Sequence, residues 1–257
     1  MDLSLFDYAF PKELVAQHPL PRREDSRMMV VKRETGAREH RHFFDFPNYL
    51  KAGDLLVLNN AQADLIEMEG KLVPPLPPYI KRKKAVDFTE ADFERYRTVY
   101  ASVPGSKAAP TAGFHFSPEM LDKIRAAGVE IRFITLHVSY DTYKPIRTPN
   151  ILDHPMHGEA YVVPEETAHA VRALESWAKI PPSPPFSKGG LQTKLFISPG
   201  YQFQIIDALL TNFHRPRSTV FVMVCALAGR DMIHQVYEEA IHKQYRLFYY
   251  GDCMLII

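Results

Sequence analysis

Short apolar runs and alternating stretches divide the chain into elements, each bounded by a recognisable stop. The run at residues 27–32, Arg-Met-Met-Val-Val-Lys, predicts a strand that closes at the Thr35-Gly36 turn. Residues 54–58, Asp-Leu-Leu-Val-Leu, predict a second strand, and four apolar residues in succession suit one buried on both faces. Asn59 and Asn60 follow it, with side chains that satisfy backbone groups as the chain turns. Ser117 then reads as a helix N-cap, Pro118 as the first helical residue and Glu119 as an acid favoured by the helix dipole, with Gly128 as the stop. Residues 129–138 alternate as a strand, so helix and strand make an α/β unit whose two ends carry the chain's most unusual residues. A second helix is predicted after Pro164, running to Trp177, and another over 231–244. Between them lies a low-complexity stretch, residues 179–193, whose prolines and glycines exclude regular structure; order resumes at 194–198, with a Pro199-Gly200 turn after it.

Residues 73–80, Val-Pro-Pro-Leu-Pro-Pro-Tyr-Ile, are too rich in proline for a helix or a central strand and predict an extended, polyproline-like segment before the basic run Lys81-Arg-Lys-Lys84. Two readings stay open: it orders the mouth of a site, or it is a stiff surface connector with a solvated charge cluster. At 257 residues and 46% hydrophobic, the chain is long enough for one substantial core. Lysine plus arginine (31) balances aspartate plus glutamate (30), so no overall positive field exists and any contact with RNA must be local. Two distant cysteines, Cys225 and Cys253, exclude a disulfide framework and a cysteine-rich zinc site and fit a reducing, cytoplasmic setting. The first ten residues lack the basic start and apolar run of a signal peptide, and the apolar run at 220–228 falls short of the roughly eighteen residues that span a bilayer, so no membrane association is expected.

Three clusters carry candidate chemistry. In Ala109-Pro-Thr-Ala-Gly-Phe-His-Phe116, Thr111 and His115 offer a hydroxyl and an imidazole beside a helix N-terminus whose free amides favour an anionic group; a capped loop with a packed aromatic is the plainer account. In the second, Thr135-Leu-His-Val138 leads to Asp153-His154 and to His157 with Glu159, which a metal-dependent hydrolase could use. Pro155 between the two histidines removes the helical presentation that makes such a pair converge on a metal, so a polar loop is the alternative. In the third, Thr211-Asn-Phe-His-Arg-Pro-Arg-Ser-Thr219, arginine forks suit phosphates and Phe213 or His214 could stack on a base, against the reading of a polar turn.

Taken in order, the blocks are similar to the S-adenosylmethionine:tRNA ribosyltransferase-isomerase family along nearly the whole chain. The resemblance rests on Phe6-Asp-Tyr8, Ala16-Gln-His-Pro-Leu-Pro-Arg22, Gly53-Asp-Leu-Leu-Val-Leu-Asn-Asn60, Pro75-Leu-Pro-Pro-Tyr-Ile80 and Tyr96-Arg-Thr-Val-Tyr100, then on the three clusters above and Tyr250-Gly-Asp252. It implies transfer and isomerisation of the ribosyl part of S-adenosylmethionine onto 7-aminomethyl-7-deazaguanine in tRNA, giving epoxyqueuosine. The sulfonium compound is then a consumed substrate, no resident cofactor or metal is implied, and the partners are that tRNA and S-adenosylmethionine. Such chemistry needs a base beside the sulfonium and shelter from water. The resemblance places base, acid and orienting roles among His115, His137, His154, His157 and His214, with Asp153 and Glu159 as carboxylate partners. It implies substrate contacts at Thr111, Gly113, Thr135, Arg172, Glu175, Asn212, Ser218 and Thr219.

Relative to the family pattern, the small β-rich second domain is essentially missing at a joint over residues 61–74, a strand with a Gly-Thr-Thr turn before Val171-Arg-Ala-Leu-Glu-Ser176 is absent, and Ser139-Tyr-Asp141 stands in place of glycines. The expectation is therefore one mixed α/β, barrel-like domain over 1–257, cytoplasmic and monomeric, that is this enzyme in shortened form, with a catalytically silent RNA- or nucleoside-binding remnant of it as the first alternative and a metal-dependent hydrolase as the second.

Overall fold

A computed structural model describes residues 1–174 and 191–257. Along the described chain the strands are β1 (Arg27–Val31), β2 (Arg38–His42), β3 (Leu55–Asn59), β4 (Ala61–Ala63), β5 (Ile66–Met68), β6 (Lys71–Val73), β7 (Val103–Ser106), β8 (Glu130–Leu136), β9 (Glu159–Val162), β10 (Leu191–Thr193), β11 (Leu209–Asn212) and β12 (Cys253–Ile256). The helices are α1 (Glu90–Arg95), α2 (Pro118–Ala126), α3 (Glu165–Ala173), α4 (Thr219–Ala228) and α5 (Arg230–His242).

One sheet, ordered β11-β12-β1-β2, sits between two cores. Its central strands β1 and β12 are parallel partners, Met28 opposite Cys253 through Val31 opposite Ile256. Because successive side chains point to opposite faces, Met29, Val31, Met254 and Ile256 meet Phe221, Val224, Val236 and Tyr237 of α4 and α5, while Met28, Val30, Cys253 and Leu255 meet Phe43, Phe46, Phe116 and Ile124. Burial of each such side chain contributes about 1.5–3 kcal/mol, and a parallel pair covered on both faces is what an unbroken apolar run encodes. The apolar run at 220–228 becomes α4, buried nearly all round. Gly229, at φ +88°, ends α4 and opens α5 in a backbone conformation that a side chain resists, and the two helices meet at 113°. No single helix among the described residues is long and apolar enough to cross a membrane.

The second sheet runs β10-β9-β8-β3, with β3 parallel to β8. Here the expectation for residues 54–58 fails in part: β3 is an edge strand of which only Leu56 and Leu58 face the core around α2, and Val57 on the other face is 40% exposed. The Asn pair behaves as its chemistry dictates. Asn59 donates to the carbonyl of Leu136 (2.9 Å) and accepts from the amides of Ala61 and Leu136 (both 3.0 Å), while Asn60 accepts from the Thr135 hydroxyl at 2.7 Å. The predicted helix at 118–126 is α2, capped by Ser117, whose hydroxyl accepts from the Met120 amide at 3.0 Å.

The proline-rich segment is not a surface connector. Residues 73–77 and Ile80 are buried, and of the basic run that follows, Arg82 is drawn inside. Its side chain is 5% exposed and forms a forked pair with the fully buried Asp92, Nε to Oδ2 at 2.9 Å and Nη2 to Oδ1 at 3.0 Å. Asp92 also accepts from Thr89 and from the Tyr250 hydroxyl at 3.2 Å, so the buried charge is fully engaged. Joint residues 61–74 hold β4, which pairs with β7, and the β5–β6 hairpin. The stretch expected to be irregular over 179–193 ends in a strand, because Leu191–Thr193 pair with β9 as β10. Its earlier part lies outside the described residues, whereas the helix expected to run to Trp177 is α3 and already ends at Ala173, where Leu174 turns to extended backbone (φ −71°, ψ 137°).

Candidate active site

The three clusters of candidate chemistry meet in one cleft of about 350 Å³, within the range of small-molecule sites. Thr111 comes from a tight 3-10 turn (Thr111–His115), Leu136 and Val138 from the end of β8, Glu159 from the start of β9, and residues 211–218 from the passage between β11 and α4. Aromatic rings of Tyr79, Phe213, Tyr143, Phe248 and Tyr249 supply much of the remaining wall. Tyr79 and Tyr143 stand nearly perpendicular at 6.4 Å, Tyr143 and Tyr249 are inclined by 61° at 6.3 Å, and the Arg215 guanidinium lies 5.4 Å from the centre of the Tyr79 ring. Such rings attract a cation through the negative potential of their faces.

His214 is the histidine that lines this cleft. Its Nε2 is 2.6 Å from the Thr211 hydroxyl, its amide donates to the Tyr237 hydroxyl at 2.8 Å, and its carbonyl accepts from the Tyr8 hydroxyl. Burial lowers its pKa to about 4, so the ring is neutral near pH 7. Asn212 is buried at the cleft wall, and its amide donates to the carbonyls of Phe248 (3.1 Å) and Tyr249 (3.4 Å). Its Oδ1 is thereby left as acceptor, which makes the 3.0 Å contact with His115 Nε2 a donation from the histidine and assigns the tautomer. His115 is 3% exposed beneath the cleft, and burial lowers its pKa to about 4 despite that hydrogen bond. It positions Asn212 and does not line the cleft.

Glu159 faces the cleft and accepts from the Ser139 amide at 2.8 Å and shares its Oε1 with His157 Nε2 at 3.1 Å. His154 lies behind, against the Phe196 ring at 6.1 Å; burial lowers its pKa, and the nearby charge of His157 adds to that. A line of titratable groups thus runs from His154 through His157 to Glu159. Asp153 stays exposed, accepting from Asn150 at 3.4 Å.

The remaining sequence-selected residues lie elsewhere. His137 points away because Leu136 and Val138 on either side of it take the cleft face, and its Nδ1 is buried without a partner near Gly105. Thr135 is buried on its bond to Asn60. Gly113 is a packing glycine: a Cβ there would lie 2.6 Å from Thr98 Cγ2 and would collide with the Tyr100 hydroxyl. Ser218 lines the cleft but spends its hydroxyl on the cap of α4, donating to the Arg215 carbonyl (2.8 Å) and accepting from Phe221 (3.2 Å), and Thr219 begins that helix outside the lining. Arg172 is exposed on α3, away from the cleft, and Glu175 lies outside the described residues. Reading the sequence for hydrogen-bonding chemistry missed Tyr79, Tyr143 and Tyr249, whose signal was an aromatic in each of three loops.

A sequence profile described as queuosine biosynthesis protein matches residues 3–72 and 62–256. The chain is similar to proteins named S-adenosylmethionine:tRNA ribosyltransferase-isomerase: 32% identical to that of Syntrophus aciditrophicus, 35% to that of Staphylococcus saprophyticus and 37% to that of Carboxydothermus hydrogenoformans, each over the whole of both chains. Those alignments run over 347 to 361 positions against the 257 residues here, so each relative carries segments without a counterpart in this chain. Its fold is similar to the crystal structure of S-adenosylmethionine tRNA ribosyltransferase from Thermotoga maritima, with a TM-score of 0.63 and 29% identity over 98% of this chain and 100% of that one.

Proposed function

The chain belongs to the queuosine biosynthesis protein family, and from that premise we propose that it transfers and isomerises the ribosyl moiety of S-adenosylmethionine onto 7-aminomethyl-7-deazaguanine in tRNA, giving epoxyqueuosine-tRNA. The observation that carries this reading is the convergence of three separated sequence blocks on one aromatic-walled cleft. S-adenosylmethionine enters that cleft as a consumed substrate, with no resident cofactor. Its sulfonium rests against Tyr79, Tyr143 and Tyr249, a contact stabilised by about 0.5–2 kcal/mol. Neutral His214 does not repel the sulfonium and keeps one ring nitrogen unprotonated, and so serves as the base that takes the activated proton next to sulfur. Glu159, backed by His157 and His154, offers the carboxylate and the path for protons to the surface.

The finer architecture belongs to the same proposal. The β10-β9-β8-β3 sheet and the β4–β7 pair are parts of one barrel-like body, supported by β4 continuing β3 across the single residue Asn60, whose carbonyl accepts from Ser102 beside β7. Residues 61–74 are the joint where the family's small β domain has been lost, supported by the profile match breaking into two parts that overlap at 62–72. The protein acts as a monomer, in keeping with a central sheet covered on both faces. It works in the cytoplasm, in keeping with two buried free cysteines.

The test is incubation of the purified chain with S-adenosylmethionine and tRNA bearing the aminomethyl base, followed by detection of free adenine and of epoxyqueuosine in digested tRNA. Both products are expected. Their absence from folded protein that still binds S-adenosylmethionine or tRNA would favour the second reading, a silent binding remnant, to which the segments present only in the relatives point.

A further inference from the structure

A second concavity, wider than the cleft at about 800 Å³, lies where residues 21–24, 94–101 and the start of α2 meet. Four guanidiniums line it: Arg22, Arg23, Arg95 and Arg97. Two of them are held as part of the fold. Arg23 donates to the carbonyls of Phe114 (3.0 Å) and Glu94 (3.1 Å), and Arg95, 7% exposed, donates to the carbonyls of Leu20 and Pro21. Among the described residues neither has a carboxylate within ion-pair distance, and Arg95 Nε is buried with no hydrogen-bond partner. Arg97 is exposed and unpaired among the described residues, and Arg22 only approaches Asp25, at 3.8 Å.

A guanidinium buried as Arg95 is, or half-buried as Arg23 is, with Glu94 near but no carboxylate within ion-pair distance, is costly, because carbonyl dipoles replace water less well than an opposing charge in contact does. The strain is visible in Arg23, lowered to about 10 by burial and by the charges of Arg95 and Arg97. The nine-residue α2 adds the positive end of its dipole at the same wall, where Ser117 and Pro118 line the groove. Three carboxylates also face it, Glu24, Glu94 and Glu119, of which Glu24 is held by the Ser117 hydroxyl. The groove therefore has fixed guanidiniums short of an anion, and no aromatic ring lines it for a base to stack on.

We infer that this groove is a docking site for the phosphodiester backbone of the substrate RNA, separate from the cleft where the chemistry takes place. A small void of about 10 Å³ is lined by Arg95 of the groove and by Tyr249 of the cleft, so the two sites lie close to each other across the interior. Arg95 and Arg23 form the fixed floor of the groove, and Arg97 and Arg22 its adjustable rim. The inference rests on tRNA being the substrate.

Titration of the full chain with tRNA over a range of salt concentrations tests it, beside calorimetry with S-adenosylmethionine. Arg22→Ala and Arg97→Ala, both at exposed positions, should each weaken tRNA binding by about 3–10-fold and lower the slope of log K against log salt by roughly 0.7–0.9 per lost phosphate contact, with affinity for S-adenosylmethionine unchanged. Glu119→Gln should tighten binding of tRNA. Unaltered affinity and slope in the double arginine variant, with S-adenosylmethionine still bound, would overturn the groove and leave the proposed reaction standing. Competition by inorganic phosphate together with tRNA binding indifferent to the arginines would overturn it as well, by making the groove a free-phosphate site. Arginine-dependent tRNA binding by a chain that fails to bind S-adenosylmethionine would instead uphold the groove and remove the proposed reaction.

Discussion

Two histidines, His115 and His214, are both lowered to about 4 by burial, and the consequence differs with where each side chain ends. His214 opens on the cleft, so its neutrality concerns chemistry. His214→Asn keeps a polar side chain of similar reach but removes the base, and adenine release should fall by about 10²–10⁴-fold while calorimetry finds S-adenosylmethionine binding little changed. His115 is enclosed, so its neutrality concerns stability. Its folded pKa lies below the unfolded value of 6.5, hence the unfolded chain binds more protons between about 4 and 6.5. Stability is complete above that window and is lost as the pH falls through it, by roughly 3 kcal/mol for the buried ring. Urea unfolding at pH 7 and pH 4.5 should reveal this slope, and His115→Gln should reduce it by about half, the rest coming from His214, which burial lowers equally; an unchanged slope would mean that His115 is not held neutral. Both residues were picked from the sequence by their motifs, but which one faces a ligand was not legible there. That depends on Asn212, from the far end of the chain, presenting its Oδ1 to one of them.

Among the elements, capping and alternation carried most of what was readable. Ser117 and Pro118 start α2 as their chemistry requires, and the Asn59-Asn60 pair ends β3 by bonding across to β8. The Val73–Lys84 region left two readings open, and the structure divides them: Lys81, Lys83 and Lys84 are exposed as solvated charge, yet Arg82 is buried by its fork to Asp92. A buried pair is strongly destabilising to break, since the survivor is left uncompensated. Asp92→Ala should accordingly cost about 3–5 kcal/mol in denaturant unfolding, well above the ~0–1 kcal/mol of an exposed pair such as Arg125 with Asp122. A loss near that of an exposed pair would mean that the network does not hold the proline segment, and with it Tyr79, in place. Likewise, Val57 is exposed because its side chain is on the face of β3 turned away from the core around α2, a fact of packing that no run of four apolar residues contains.

For the molecule as a whole, the cleft is the product of long-range closure. β11 and β12 bring residues 211–218 and 248–249 to a turn at 111–115 and to the ends of β8 and β9. Ligand binding to such a closed site stabilises the fold by mass action, so S-adenosylmethionine at a hundred times its Kd should add about 2.7 kcal/mol and raise Tm in a thermal-shift experiment. The absence of a shift would exclude binding of S-adenosylmethionine to the folded chain. By itself the sequence determined the element types, the caps, the family and the three blocks of reactive side chains, because those depend on local periodicity and on residue chemistry. The tertiary structure alone decided which of those side chains share a cavity, which tyrosines wall it, which arginines are left without a counter-ion and which charges are buried, because each of these depends on what a distant segment places within a few ångströms.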